Sequence, residues 1–194
     1  MPNMTRVHIK RYIQELLKRA GTLAAQKVYL NRPVNYSLDP EEAEVRIMSL
    51  NSTSKREDGV PRRYKRTYIL GIEMAYSPNE EDYDVGEDAF EALVAQVEFA
   101  IESDELLENG EIRTALNIPE EFCVEDTFLD GMEYRTEADG ERPIYVCLVN
   151  YNVCYNYETG PSAENLDDLE SIHTETGPSD GSGATPSLDS TVRV

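Results

Sequence analysis

The stretch Lys65-Arg-Thr-Tyr-Ile-Leu-Gly-Ile-Glu-Met-Ala-Tyr76 decides the fold. In an extended chain Tyr68, Leu70, Ile72, Met74 and Tyr76 fall on one side, with Thr67, Gly71 and Glu73 among those on the other. That is the two-residue period of a strand with one buried face. Just upstream, Val45 and Ile47 alternate with Glu44 and Arg46 between Ala43 and Leu50. The polar run Asn51 to Gly59 reads as a loop, so the two strands form a long-looped hairpin.

Working outward, Val28 to Asn31 reads as a short strand stopped before Pro33. Ahead of it, Ile9, Ile13, Leu16, Leu17 and Ala20 make a helical stripe that Thr5 can cap, with Lys18 and Arg19 in the last turn and Gly21 after it. On the other side, Ser77 to Glu87 reads as an acidic loop. It feeds a helix carrying Phe90, Leu93, Val94, Val97 and Ile101 behind an acidic first turn of Glu87 and Asp88.

After a loop around Gly110 to Pro119, Phe122, Val124, Phe128, Met132 and Tyr134 share strand parity, with a bulge expected near Gly131. A turn at Asp139 and Gly140 leads into Ile144 to Tyr157. This strand is apolar on both faces at first. It then becomes one-sided, with Tyr151, Val153, Tyr155 and Tyr157 against a wet face of Asn150, Asn152, Cys154 and Asn156. The expected architecture is α+β in the order α-β-β-β-α-β-β, two helices packed on a largely antiparallel sheet.

Residues 158 to 194 differ in kind. They hold 8 acidic residues and 1 Arg, and they repeat Glu158-Thr-Gly-Pro-Ser162 as Glu175-Thr-Gly-Pro-Ser179. Such a segment buries too little apolar area to offset its ordering entropy. We therefore expect a domain over 1–157 and an acidic Gly/Pro/Ser-rich arm over 158–194, held on a neighbouring surface by Leu166, Leu169 and Ile172.

Charge is divided along the chain. Residues 1–66 carry 14 of the 18 Lys and Arg against 7 acids, and the remainder carries 4 against 31, so a first third of +7 precedes a −27 segment. Either the two halves neutralise each other inside one fold, or unlike surfaces of successive copies meet head to tail. A net charge of −20 disfavours DNA and anionic lipid as general partners. No stretch has the 18 or more apolar residues of a membrane span, and the N-terminus has no apolar signal region, so a soluble product is expected. Cys123, Cys147 and Cys154 are too few for a disulfide scaffold and are read as core or half-buried thiols.

Signatures of catalysis are missing. Neither His8 nor His173 has a partner at a metal-ligand spacing. No phosphate loop or nucleophile elbow occurs, and Asp82, Asp84 and Asp88 lack the Gly and Glu of a calcium loop. No enzyme activity, cofactor or metal is expected. The one concentrated positive feature is Arg62, Arg63, Lys65 and Arg66 beside Lys55 and Arg56. It suits docking on an acidic surface through bidentate Arg contacts, and equally the solvated base of a hairpin.

Five consecutive features, namely the opening helix followed by Val28-Tyr29-Leu30-Asn31-Arg32-Pro33, the strand Glu44 to Leu50, the strand Arg66 to Glu73, the helix Ala89 to Ile101 and the closing hairpin through Tyr157, resemble the tail terminator proteins of tailed bacteriophages, the lambda-type minor tail proteins that cap the tail tube. The resemblance covers about residues 5 to 157. It implies a small α+β subunit that forms a ring, commonly a hexamer, on the head-proximal end of the tail tube. That ring stops tube polymerisation and presents a platform to the head connector. The implied partners are further copies of itself, the tail tube protein, a connector or neck protein and, in a contractile tail, a sheath protein. DNA would pass through an acidic lumen without specific binding. The implied location is the virion tail, after assembly in the host cytoplasm. Two other classes stay open: an acidic DNA mimic that inhibits a host nucleic-acid-binding protein, supported by the −27 segment, and another neck or adaptor protein of the virion.

Overall fold

A computed structural model describes residues 6–32, 36, 38–57, 62–79, 83–120, 122–139, 142–159, 172–175 and 189–192. It divides the chain into two compact units, one of Met1–Glu57 with Tyr64–Tyr157, the other of Asp58–Arg63 with Glu158–Val194. In the first, α1 (Arg6–Arg19), β1 (Val28–Leu30), β2 (Ala43–Glu57), β3 (Arg62–Tyr76), α2 (Tyr83–Glu102), α3 (Gly110–Ala115), β4 (Val124–Asp139) and β5 (Arg142–Thr159) follow one another. Five strands make one mixed sheet in the order β1-β2-β3-β5-β4, with β1 parallel to β2 and β4 antiparallel to β5. The α+β order read from sequence is the order that folds, with α3 added. In the second unit β6 (Ile172–Glu175) pairs antiparallel with β7 (Asp189–Val192).

One face of the sheet takes the helices. Val45, Ile47, Tyr68, Leu70, Ile72, Met74, Val149, Tyr151 and Val153 are each at most 1% exposed and pack with Ile9, Tyr12, Ile13 and Leu17 of α1 and Leu93 and Val97 of α2. The apolar periods of strand and helix thus meet in a single core, the burial that drives the fold. The Gln14 amide donates to the Val28 carbonyl at 2.7 Å and ties α1 to β1. Gly21, at φ +67°, takes the left-handed conformation that ends α1. Ala20 is exposed and is not part of the stripe.

The segment expected to be a loop around Gly110 contains α3. Asn109 caps it, its Oδ1 accepting from the backbone N–H of Glu111 at 3.1 Å and of Ile112 at 3.2 Å. Ile112 is fully buried, and the Tyr12 hydroxyl bonds Asp104 and accepts from the Asn109 N–H at 2.6 Å. Six residues are too few to show a helical period, so only the cap was there to be read.

Two boundaries move. β2 continues to Glu57 where a loop was expected from Asn51, because pairing along a hairpin outweighs the weak strand preference of Asn, Ser and Lys. α2 begins at Tyr83, four residues before the expected Glu87, and its first-turn acid is Asp84. Gly86 thereby enters the helix and lies against Pro78; a Cβ at Gly86 would sit 2.4 Å from the Pro78 Cβ. Thr5, Pro33, Gly59, Glu80 to Asp82 and Gly140 lie outside the described residues.

β4 bulges twice, between Val124 and Asp126 and between Leu129 and Gly131. The second is the bulge expected near Gly131. Each shift reverses parity, so Val124, Met132 and Tyr134 share the helix-side face while Phe128 does not: it stands opposite Asn152, and Leu129 stands opposite Tyr151. The shared parity assigned to Phe128 is therefore corrected.

The opposite face of the sheet is drier than expected. Glu44, Arg46 and Glu73 are 1% to 4% exposed, and Asn152 and Cys154 are also buried. Leu38 packs with Ala75, Ile144 and Val146 in a second small core, with Tyr36 against it. Val146 and Ile144 justify the reading of β5 as apolar on both faces at its start. Cys147 is buried as expected; Cys154 is buried too, which fits the reading of the thiols but corrects its place on the wet face, and Cys123 is exposed.

Candidate assembly interface

The polar half of the second face is a charge cluster. Arg46 reaches Glu44, its Nε 2.6 Å from Oε1, and its guanidinium lies 3.9 Å from the ring centre of Tyr36. Its Nη1 is 3.6 Å from Glu73, which accepts from Arg135 at 2.7 Å; Arg32 donates to Glu44 at 2.8 Å. Arg135 also lies 2.8 Å from Glu137. Each buried carboxylate has two cations, which offsets its desolvation and fixes β2, β3 and β4 in register. Every member of this cluster is engaged within the chain, so the cluster is a fastening.

The basic patch splits into two parts. Lys65 extends from β3 to Glu125 of β4 at 2.5 Å, and Glu125 also accepts from Asn156 at 2.5 Å. The pairing raises the Lys65 pKa and lowers that of Glu125. Arg66 is half-buried. Lys55 and Arg56 stand exposed on the outer half of β2 and make no ion pair among the described residues. Arg62 and Arg63 begin β3, and their side chains lie outside the described residues. So do Leu166 and Leu169, while Ile172 opens β6 with its backbone paired to Val192.

Part of the charge division closes within the fold. Arg19 meets Glu111 at 3.1 Å, Lys65 meets Glu125, and Arg46 meets Glu73. Other cations of the first third are taken by acids of the same third: Lys18 by Glu15, Lys27 by Glu42 and Arg32 by Glu44. What stays unbalanced is one side of the sheet. The helix α2 carries Asp84, Glu87, Asp88, Glu91, Glu98 and Glu102 with no Lys or Arg. Burial, with Glu102 and Glu91 nearby, raises the Glu98 pKa. The edge strand β4 carries six acids against Arg135 alone.

The same side exposes apolar surface. Phe99 is 74% exposed on α2, and Phe128, Leu129, Met132 and Tyr134 are 37% to 49% exposed on β4. At the corner between the end of α2 and the bulged part of β4, a cleft of about 290 Å³ is lined by Ile101, Glu102, Glu105, Thr127, Phe128, Leu129 and Tyr151. This surface was not singled out in the sequence. The acid-only polar face of α2 was legible there, but its adjacency to β4 needs the sheet order and both bulges. Among the described residues no group of three or more His, Cys, Asp or Glu is placed to hold a metal ion, and no helix is long and apolar enough to cross a membrane.

No family model and no curated protein matches the sequence. Among solved structures, one described as "Virion of native gene transfer agent (GTA) particle" contains a chain similar to this one at 9% sequence identity and a TM-score of 0.42, over 76% of this chain and 94% of that chain.

Proposed function

We propose that this chain is a non-enzymatic structural protein of a phage-type virion, whose copies form a ring on the head-proximal end of the tail tube, stop its polymerisation and join the tail to the head connector. The observation that carries this reading is a sheet with two unlike sides. On β4 the edge is acidic and partly apolar; pairing with β1 ends at Ile47, and beyond Leu50 β2 is polar and exposes Lys55 and Arg56. Unlike patches on one copy can meet head to tail, and such contacts close into a ring when the rotation between copies permits. Opposite charge orients the encounter and rejects the reverse pairing. The ring's hexameric size and its place on the tail come from the resemblance to tail terminators in residues 5 to 157.

Termination on this reading is steric and needs no reactive group. One face of the ring pairs with the last tube ring through edge strands and the Arg62 to Arg66 part of the basic hairpin, leaving Lys55 and Arg56 to the neighbouring copy. The other face lacks the polymerising surface of the tube protein and meets a connector or neck protein, with a sheath protein beside it in a contractile tail. An acidic lumen lets DNA pass, since binding there would release no counterions. The arm over 158–194 reaches a neighbouring copy, with Leu166, Leu169 and Ile172 as its apolar anchors.

Electron microscopy of the purified protein mixed with tail tube protein tests this. Rings, and tubes of limited length with a collar at one end, are expected; tubes of the same length with and without the protein would overturn it. A monomer or dimer that displaces DNA from a host DNA-binding protein would instead place the chain among DNA mimics.

A further inference from the structure

The cleft at the α2–β4 corner has the chemistry of a receptor for a cation. Two buried hydroxyls that line it, Thr127 Oγ1 and Tyr151 OH, have no hydrogen-bond partner among the described residues, and Tyr151 is only 1% exposed. A buried hydroxyl without a partner costs free energy unless something supplies one. Glu102 and Glu105 stand at the same cleft and are exposed, and Phe128 and Leu129 provide apolar walls that are themselves 43% and 39% exposed. At about 290 Å³ the cleft is just below the usual range for small-molecule sites, roughly 300–1,000 Å³, and suits one or two side chains better than a cofactor.

We infer that this cleft receives the Lys55–Arg56 segment of a second copy of the chain. The donor is a pair of adjacent cations on the exposed outer half of β2, neither bound to a carboxylate among the described residues. The stem of Arg or Lys packs along Phe128 and Leu129 while its charged head meets Glu102 and Glu105. The hydroxyls of Tyr151 and Thr127 then accept N–H groups from the guanidinium or ammonium. Donor and receptor lie on different strands of the sheet, so a head-to-tail contact leaves each copy with one cleft and one donor to offer, whereas a two-fold pair would use both at once. This inference deepens the ring reading and names the contact between neighbours.

Sedimentation velocity of the full chain over a concentration series, at low and high salt, tests it. Wild type is expected to self-associate and to weaken as salt rises. The variants K55E/R56E and E102K/E105K change only exposed positions; each is expected to lose at least tenfold in association, and an equimolar mixture of the two regains it. Tyr151→Phe keeps the ring of the side chain in the core, deletes the hydroxyl and weakens association by roughly tenfold or less. A chain that stays monomeric throughout, association that neither charge reversal changes, or a mixture that fails to recover would overturn the contact. Rings that persist through both reversals would sink this contact and leave the collar standing. Association that obeys the charge swap but stops at a dimer would support the contact and count against the collar.

Discussion

Arg46 shows how much one side chain carries when it is 1% exposed between two carboxylates. Arg46→Met keeps most of the volume but takes a cation from Glu44 and Glu73, each of which retains one other partner, Arg32 and Arg135. Breaking a buried pair costs about 3–5 kcal/mol, and the surviving partners place this variant near the low end, about 3 kcal/mol. Chemical denaturation at neutral pH measures it; a loss below about 1 kcal/mol would mean that water reaches this face. In the sequence, Glu44 and Arg46 look like the wet side of a half-buried strand, because alternation of charged with apolar residues is the same whether the charged face meets water or its own counter-charges. The partners Glu73 and Arg135 lie 27 and 89 residues further on, and only sheet order brings them together.

At the scale of elements, long periodic segments were legible and their ends were not. The stripes of α1 and α2 and the alternation in β3 and β5 are repeated signals, each position supporting the others. The ends of β2 and α2 rest on few residues and were decided by pairing and by the contact of Gly86 with Pro78. The candidate site suffers most from this, since a parity argument fails at each bulge of β4 and Phe128 was put on the wrong face. The acidic surface of α2 yields a measurable consequence at Glu98. Burial first, then Glu102 and Glu91, raise its folded-state pKa above the unfolded value. The sign follows: at neutral pH Glu98 is charged in both states and its folded-state penalty is present, and the penalty is relieved as pH falls through the raised pKa. Glu98→Gln is therefore expected to stabilise the chain at pH 7 and to lose that advantage as pH falls through the raised pKa to the ordinary carboxylate range. Thermal unfolding of both proteins at pH 7 and pH 4 checks it, and an advantage that grows on acidification would contradict the burial of this carboxyl.

For the molecule as a whole, the charge division divides its effects between fold and assembly. Pairs between the two halves of the chain, such as Arg19 with Glu111 and Lys65 with Glu125, are exposed or half-exposed and contribute little to stability individually. On the proposed ring reading, the unbalanced remainder, acidic α2 and β4 against Lys55 and Arg56, acts between copies of the chain. The arm over 158–194 extends this division. It adds a net charge of −7 and few large apolar side chains, so its composition supports no core of its own, while the buried core among the described residues is drawn from residues 9 to 155. Deleting 158–194 should accordingly leave the cooperative unfolding of the remainder within about 0.5 kcal/mol of the full chain, the range of changes made away from packed sites. If the arm joins neighbours, the same deletion shifts self-association to higher protein concentration and reduces the fraction of tails that acquire heads, counted in electron micrographs. A truncated chain that unfolds as before, assembles at the same concentration and joins heads as often would assign the arm no part in assembly. One that unfolds at markedly lower denaturant would show instead that the arm is part of the fold.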